Sequence, residues 1–149
     1  MSSLFDQQDR AALLQRIRSI PAGASRVWGK MSAPQALAHC TVGLEIASGE
    51  RPGHQKWFFK PIAPFFRKSL LGSEPFGRNA PTGPEFIIRD ERDLEVEKER
   101  LAAIVGRFAA AGPAAANGRI HGFLGALSGE EWGGMMWKHI DHHLRQFGC

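Results

Sequence analysis

The chain has 149 residues, 43% of them hydrophobic, and a formal net charge of +4. That length suits one domain with a proper core, assigned here to residues 1–149. The composition leaves no room for a disulfide framework, a signal-peptide h-region or a membrane-spanning run. Only Cys40 and Cys149 are present, a usage that fits a reducing cytoplasm. The positive charge is local. Residues 51–80 carry Arg51, Lys56, Lys60, Arg67, Lys68 and Arg78 against the single acid Glu74, and the rest of the chain sums to −1.

In chain order, the first helical signal runs from about Ser3 to Ser19, with Leu13, Leu14, Ile17 and Ile20 at helical spacing and Pro21 as the stop. The second opens at Ser32, which forms a capping-box pattern with Gln35. Pro34 is tolerated in a first turn, and Ser48-Gly49 closes the segment. About 40 residues follow before the next long helix, which is long for an unstructured loop. Within them Ile62 to Leu71 can form a short helix, Ser73 to Pro84 reads as loop, and Glu85 to Arg89 (EFIIR) reads as a short extended piece. The third long helix spans about Asp90 to Ala111, with Leu94, Leu101, Ile104, Val105 and Phe108 as its apolar stripe and Gly112-Pro113 as its end. The fourth opens at Ser128, again a capping-box pattern with Glu131, and continues to about Phe147. The expected architecture is all-α: a four-helix bundle with one long crossover between the second and third helices.

The fourth helix ends in KHIDHHLRQFG. His139 and His143 are four residues apart and share a face with Trp132, Met136 and Gln146. The second helix carries a comparable stripe of Gln35, His39, Val42 and Ile46. Imidazoles on a core-facing stripe need partners. Three explanations stand on the residues alone: a metal site, stabilisation of a helix C-terminus by cations, or hydrogen-bonded core histidines. In the metal reading His39, His139 and His143 are the ligands. Gln35 and Gln146 orient a ligand or hold a water, and His142, about 100° round the helix, lies behind the ligands or at the surface. His121 precedes the fourth helix and belongs either to the site mouth or to a loop, and His54 is expected to be exposed. Asp141 and Glu45 fall off the histidine stripes, so no carboxylate is placed as a general base. Cys40 is expected to pack in the core, and Cys149 to be a free thiol.

Three stretches together carry a resemblance: Trp28–Cys40 (WGKMSAPQALAHC), His121–Gly133 (HGFLGALSGEEWG) and Lys138–Gly148 (KHIDHHLRQFG). They resemble the DinB/YfiT-like superfamily of metalloenzymes, and within it a bacterial branch of unknown function ending in HHLRQFG. The resemblance implies a four-helix bundle, a homodimer, and zinc or nickel held by one His of the second helix and an HxxxH pair of the fourth. These map onto His39, His139 and His143. It also implies thiol-dependent S-transfer using a low-molecular-weight thiol such as glutathione. The chain departs from the pattern at Gly122, where HPFFG is expected and HGFLG is found, which leaves a role for His121 open.

A metal held by these rings suits either a thiol S-transferase, favoured because a metal thiolate needs no general base, or a hydrolase. A non-catalytic metal- or ligand-binding protein is the competing class. The aromatic and basic run HQKWFFKPIAPFFRKS is expected to cover the bundle end or a dimer partner, with lysine stems over the rings. Nucleic-acid or membrane binding through residues 51–80 is the lesser reading. Arg67, Lys68 and Arg78 are candidates to bind an anionic small-molecule substrate, with His121 beside them.

Overall fold

The computed structural model describes residues 1–80 and 82–149. Five helices form: α1 (Gln7–Ser19), α2 (Ala33–Ser48), α3 (Ala63–Leu71), α4 (Leu94–Ala116) and α5 (Gly129–Gln146). A minimal antiparallel hairpin, β1 (Ile120–His121) and β2 (Gly125–Ala126), precedes α5. Helices α2, α4 and α5 pack on one another, and α1 packs against α4 and α5. The all-α bundle with a long crossover is therefore present, the crossover containing α3. No helix among the described residues is long and apolar enough to cross a membrane.

The helix starts follow local chemistry. At α2 and α5 both halves of the capping box form, Ser32 with Gln35 and Ser128 with Glu131, so two of the free N–H groups at each end are satisfied. Gly49, at φ 81°, closes α2 in the left-handed conformation that a side chain disfavours. Two starts differ from the sequence reading. Helix α1 begins at Gln7, because the Asp6 carboxylate accepts from the N–H groups of Gln8 and Asp9, both at 2.9 Å. Helix α4 begins at Leu94, because Asp93 takes the cap by accepting from Val96 N–H at 2.9 Å. Gly112 (φ 76°) kinks α4 where the sequence predicts its end, and one more turn follows.

Residues 1–5 do not continue α1. They form an arm that lies on the start of α5, where Leu4 N–H donates to the Gly133 carbonyl at 3.1 Å and the Leu4 side chain is fully buried. Gly133 makes this seat: a Cβ there would lie 2.5 Å from the Phe5 ring. The Phe5 ring also stacks on Phe108 of α4, with centroids 5.0 Å apart. The central core is Leu13, Ile17, Leu44, Leu101, Ile104, Phe108, Trp132, Ile140 and Leu144.

The crossover is tied to the bundle by polar contacts. Lys138 of α5 is buried, and its ammonium donates to the carbonyls of Ser69 (3.2 Å) and Gly72 (2.8 Å), satisfying the free C-terminal end of α3. Arg67 of α3 pairs with Glu131 at 2.6 Å. The expected aromatic cover is partial. Phe59 and Phe66 pack on Phe123, whereas Trp57 and Phe65 are 79% and 83% exposed. The EFIIR segment is also only partly as expected: Pro84–Phe86 forms one 3-10 turn and the chain extends only from Ile87.

The C-terminal half of α5 is held by a buried carboxylate. Asp141 accepts from Arg16 of α1 at 2.7 Å and from Arg145 at 2.6 Å. Arg16 also donates to the Cys149 carbonyl at 2.9 Å. Hydrogen bonds to charged groups contribute about 1.5–3 kcal/mol each. Asp141→Ala should lower unfolding free energy by about 2–3 kcal/mol, read as a drop in the urea midpoint at constant m-value.

Candidate metal centre

Three imidazoles meet between α2 and α5. His39, His139 and His143 each offer a ring nitrogen, and these nitrogens lie within 4.8 Å of one another. The i, i+4 spacing stacks His139 and His143 on one face of α5, with ring centroids 5.0 Å apart. His39 faces them from α2, 4.8 Å from each ring. His39 and His143 are buried, and His139 keeps partial contact with solvent.

The hydrogen bonds fix which nitrogens face inward. The Phe86 carbonyl, 2.9 Å from His39 Nδ1, can only accept, so Nδ1 carries the proton and Nε2 presents a lone pair. His143 Nδ1 lies 3.0 Å from Gln146 Oε1. The Gln146 amide is itself oriented, because its Nε2 donates to the Trp28 carbonyl at 2.8 Å. His143 Nδ1 therefore donates to Gln146, and its Nε2 is bare as well. His39 Nε2 and His139 Nε2 are 2.9 Å apart, so the one proton between them sits on His139.

Electrostatics agree with three neutral rings. Burial lowers the His39 imidazole, with the Phe86 carbonyl opposing. Burial holds His139 well below the ordinary histidine range, reinforced by His39 and His143. Burial, with His39 adding to it and Gln146 opposing, brings His143 down to about 3. Neutral imidazole is the form that binds a metal. Ligand nitrogens at roughly 2.0–2.1 Å from a tetrahedral zinc lie about 3.3 Å apart, a separation within the span of this cluster. The donor set therefore fits a divalent ion and can hold one.

The other sequence candidates are distributed unevenly. Gln146 supports His143 directly. His142 is partly exposed, packs its ring 5.2 Å from that of His143, and borders a cavity with Arg78. Gln35 does not touch His39: its Oε1 accepts from Ser32 N–H in the capping box, and its Nε2 donates to the Asp90 carbonyl at 3.1 Å. His121 lies in the hairpin. Its Nδ1 accepts from the N–H groups of Phe123 (3.2 Å) and Leu124 (3.1 Å), and its ring rests on Trp132. Arg67 pairs with Glu131, eight residues and roughly 12 Å before His139 along α5. Lys68 and His54 are exposed. Asp141 turns away to its two arginines, and Glu45 pairs with Arg51 at 2.7 Å. Cys40 is fully buried, and burial raises its thiol far from thiolate formation. Cys149 is a free, partly buried thiol.

Sequence reasoning missed two backbone carbonyls and two glycines. The carbonyls of Phe86 and Trp28 leave no sequence signal. Gly29 has φ +84°, and a Cβ there would collide with the Gln146 amide. Gly43 lies one turn after His39, and a Cβ there would press on Met136 (2.9 Å) and reach His139 Nδ1 (3.4 Å). The signal for Gly43 was available, since residue i+4 of a ligand shares its face.

A family model described as "Protein of unknown function (DUF1569)" matches residues 2–148. The chain belongs to the DUF1569 family. No curated protein and no solved structure matches it. As a DUF1569 protein it therefore carries a buried three-histidine cluster in a family whose function is not established.

Two predictions follow from the support around the rings. Gly29→Ala should displace Gln146, free the His143 ring and weaken zinc binding by about 10–100-fold, measured by competition with a chromophoric chelator. The second concerns acid. Burial lowers His121 to about 4, whereas an unfolded histidine titrates near 6.5. Between those values the unfolded chain binds the extra proton, so stability must fall as pH falls through that window. Each such ring contributes a slope of up to about 1.4 kcal/mol per pH unit. In chelator, His121→Asn, whose Oδ1 can accept in place of Nδ1, should show a shallower loss of stability from pH 6.5 to 4.5 in urea titrations.

Proposed function

We propose that this DUF1569 protein is a divalent-metal-dependent enzyme, with zinc or nickel held by His39, His139 and His143, and that its reaction is thiol-dependent S-transfer. The observation that carries the reading is the convergence of neutral imidazoles from two helices, two of them with Nδ1 committed to fixed acceptors. Among the described residues, only ring nitrogens of three histidines, and no carboxylate or backbone group, meet at this point, with the His143 Nε2 lone pair joining a His39–His139 pair. Three protein ligands leave coordination positions open, which is the arrangement of catalytic rather than structural sites.

The choice of reaction rests on what surrounds the cluster and on the resemblance to the DinB-like enzymes. The carboxylates nearest in sequence, Asp141 and Glu45, are engaged with arginines. Neither carboxylate is among the groups that meet at the cluster. When bound, the ion supplies Lewis acidity, which allows a coordinated thiol such as glutathione to exist as thiolate at neutral pH. The residues then act as positioning groups: Phe86 and Gln146 hold two rings, and Gly29 and Gly43 allow the close approach of Gln146 and His139. Of the three rings, only His139 retains partial exposure.

After chelation and reloading, the protein should bind one equivalent of zinc or nickel, and His139→Ala should lose more than about 100-fold in affinity. The reloaded protein should accelerate conjugation of glutathione to an alkyl halide, and the chelated protein should not. No stoichiometric metal sinks the reading. Metal without thiol turnover reduces it to a binding protein, and metal-dependent ester cleavage instead makes the protein a hydrolase.

A further inference from the structure

Beside the histidine cluster lies a small cavity of about 120 Å³, lined among others by Trp28, Phe76, Arg78, Lys138, Asp141 and His142. It shares its walls with the cluster. The His142 ring packs on His143, the Phe76 ring centroid is 6.4 Å from that of His139, and the Trp28 carbonyl anchors the Gln146 that holds His143. A water occupies about 30 Å³ in the liquid, so the volume suits a group of a few heavy atoms.

The charges lining this cavity do not cancel. Asp141 is neutralised by Arg16 and Arg145. Arg78 makes no ion pair among the described residues, and its guanidinium carbon lies over the Trp28 ring, 4.3 Å from the centroid. The ring quadrupole holds the cation there, and a guanidinium carries five N–H donors. Lys138 lies over Phe76 at 4.4 Å, and two of its three donors are used on α3 carbonyls. No carboxylate lies within ion-pair distance of its ammonium among the described residues, and Glu74 acts on it from further away. Two cations held over aromatic rings, one of them a guanidinium, form a receptor for an oxyanion.

We propose that this cavity binds the carboxylate or phosphate of a small-molecule substrate, with Arg78 as its main partner and Lys138 supplying positive potential. The catalytic meaning rests on the metal-enzyme reading, since an anion held here places the rest of its molecule toward His139. The binding itself does not depend on metal. The site assigns a carboxylate or phosphate to at least one of the reacting molecules, the thiol or its electrophile.

The test titrates inorganic phosphate and, separately, acetate into the full chain at constant ionic strength, with and without zinc. The readout is the Trp28 indole N–H resonance, assigned by its loss in Trp28→Phe. A saturable shift is expected with at least one anion, and the stronger of the two identifies phosphoester or carboxylate. Arg78→Gln, an exposed position that should not disturb folding, should weaken that binding roughly tenfold or more while zinc content stays at wild-type level. The exposed Lys68→Gln should change neither. The absence of a saturable shift with both anions overturns the proposal, as does an affinity unaffected by Arg78→Gln. Anion binding in a protein that takes up no zinc would retain this site while removing the metal reading, so the two fail separately.

Discussion

A neutral imidazole has one donor and one acceptor, and burying it is costly unless both are used. In this protein the donors of His39 and His143 are committed to the Phe86 carbonyl and the Gln146 amide. That commitment turns the acceptors inward, toward each other and His139. Much of the surrounding architecture serves it. The crossover must return past α2 to deliver the Phe86 carbonyl, and the segment before α2 must deliver that of Trp28. Val27 N–H also donates to the Gln146 carbonyl at 2.7 Å, so residues 27 and 28 grip Gln146 by backbone and side chain. The two glycines at 29 and 43 are the absences of side chain that let these parts close together.

The crossover is therefore part of the site rather than an appendage to the bundle. Its helix is too short to be stable alone. Lys138 caps its C-terminal end from α5, one residue before His139, and Gln35 binds the Asp90 backbone just after the Phe86 turn. Both fixings come from the two helices that carry the histidines, so the loop segments and the rings share one frame.

How much of this was legible in the sequence varied with the physical range of the signal. The capping boxes at Ser32 and Ser128 are patterns of four residues, and both helices start where they indicate. The stripe containing His39 and the HxxxH pair are periodic, and rotation about a helix is fixed by period, so the face carrying each could be read in advance, while their convergence was one of three readings. The start of α1 was not, because the Asp6 carboxylate takes the cap three residues beyond the expected start at Ser3. The hairpin was not either: its ladder pairs Ile120 with Ala126 and His121 with Gly125, too few residues to show alternation. Gln35 was assigned to the cluster because it shares the stripe of His39, yet the capping box that defines the helix start also claims its side chain. Backbone acceptors such as Phe86 carry no residue-type signature at all.

The arm formed by residues 1–5 has a bearing on the histidine helix. Successive glycines at 133 and 134 cost a helix roughly 1 kcal/mol each relative to alanine, so the opening turns of α5 are intrinsically weak. Ser3 and Phe5 lie where a Cβ of Gly133 would sit, Met1 lies where that of Gly134 would, and the burial of Leu4 between them offsets that weakness. Order in the segment bearing two of the three imidazoles is thus lent from the opposite end of the polypeptide. Peeling back a few N-terminal residues would loosen the scaffold of the centre without touching any ring.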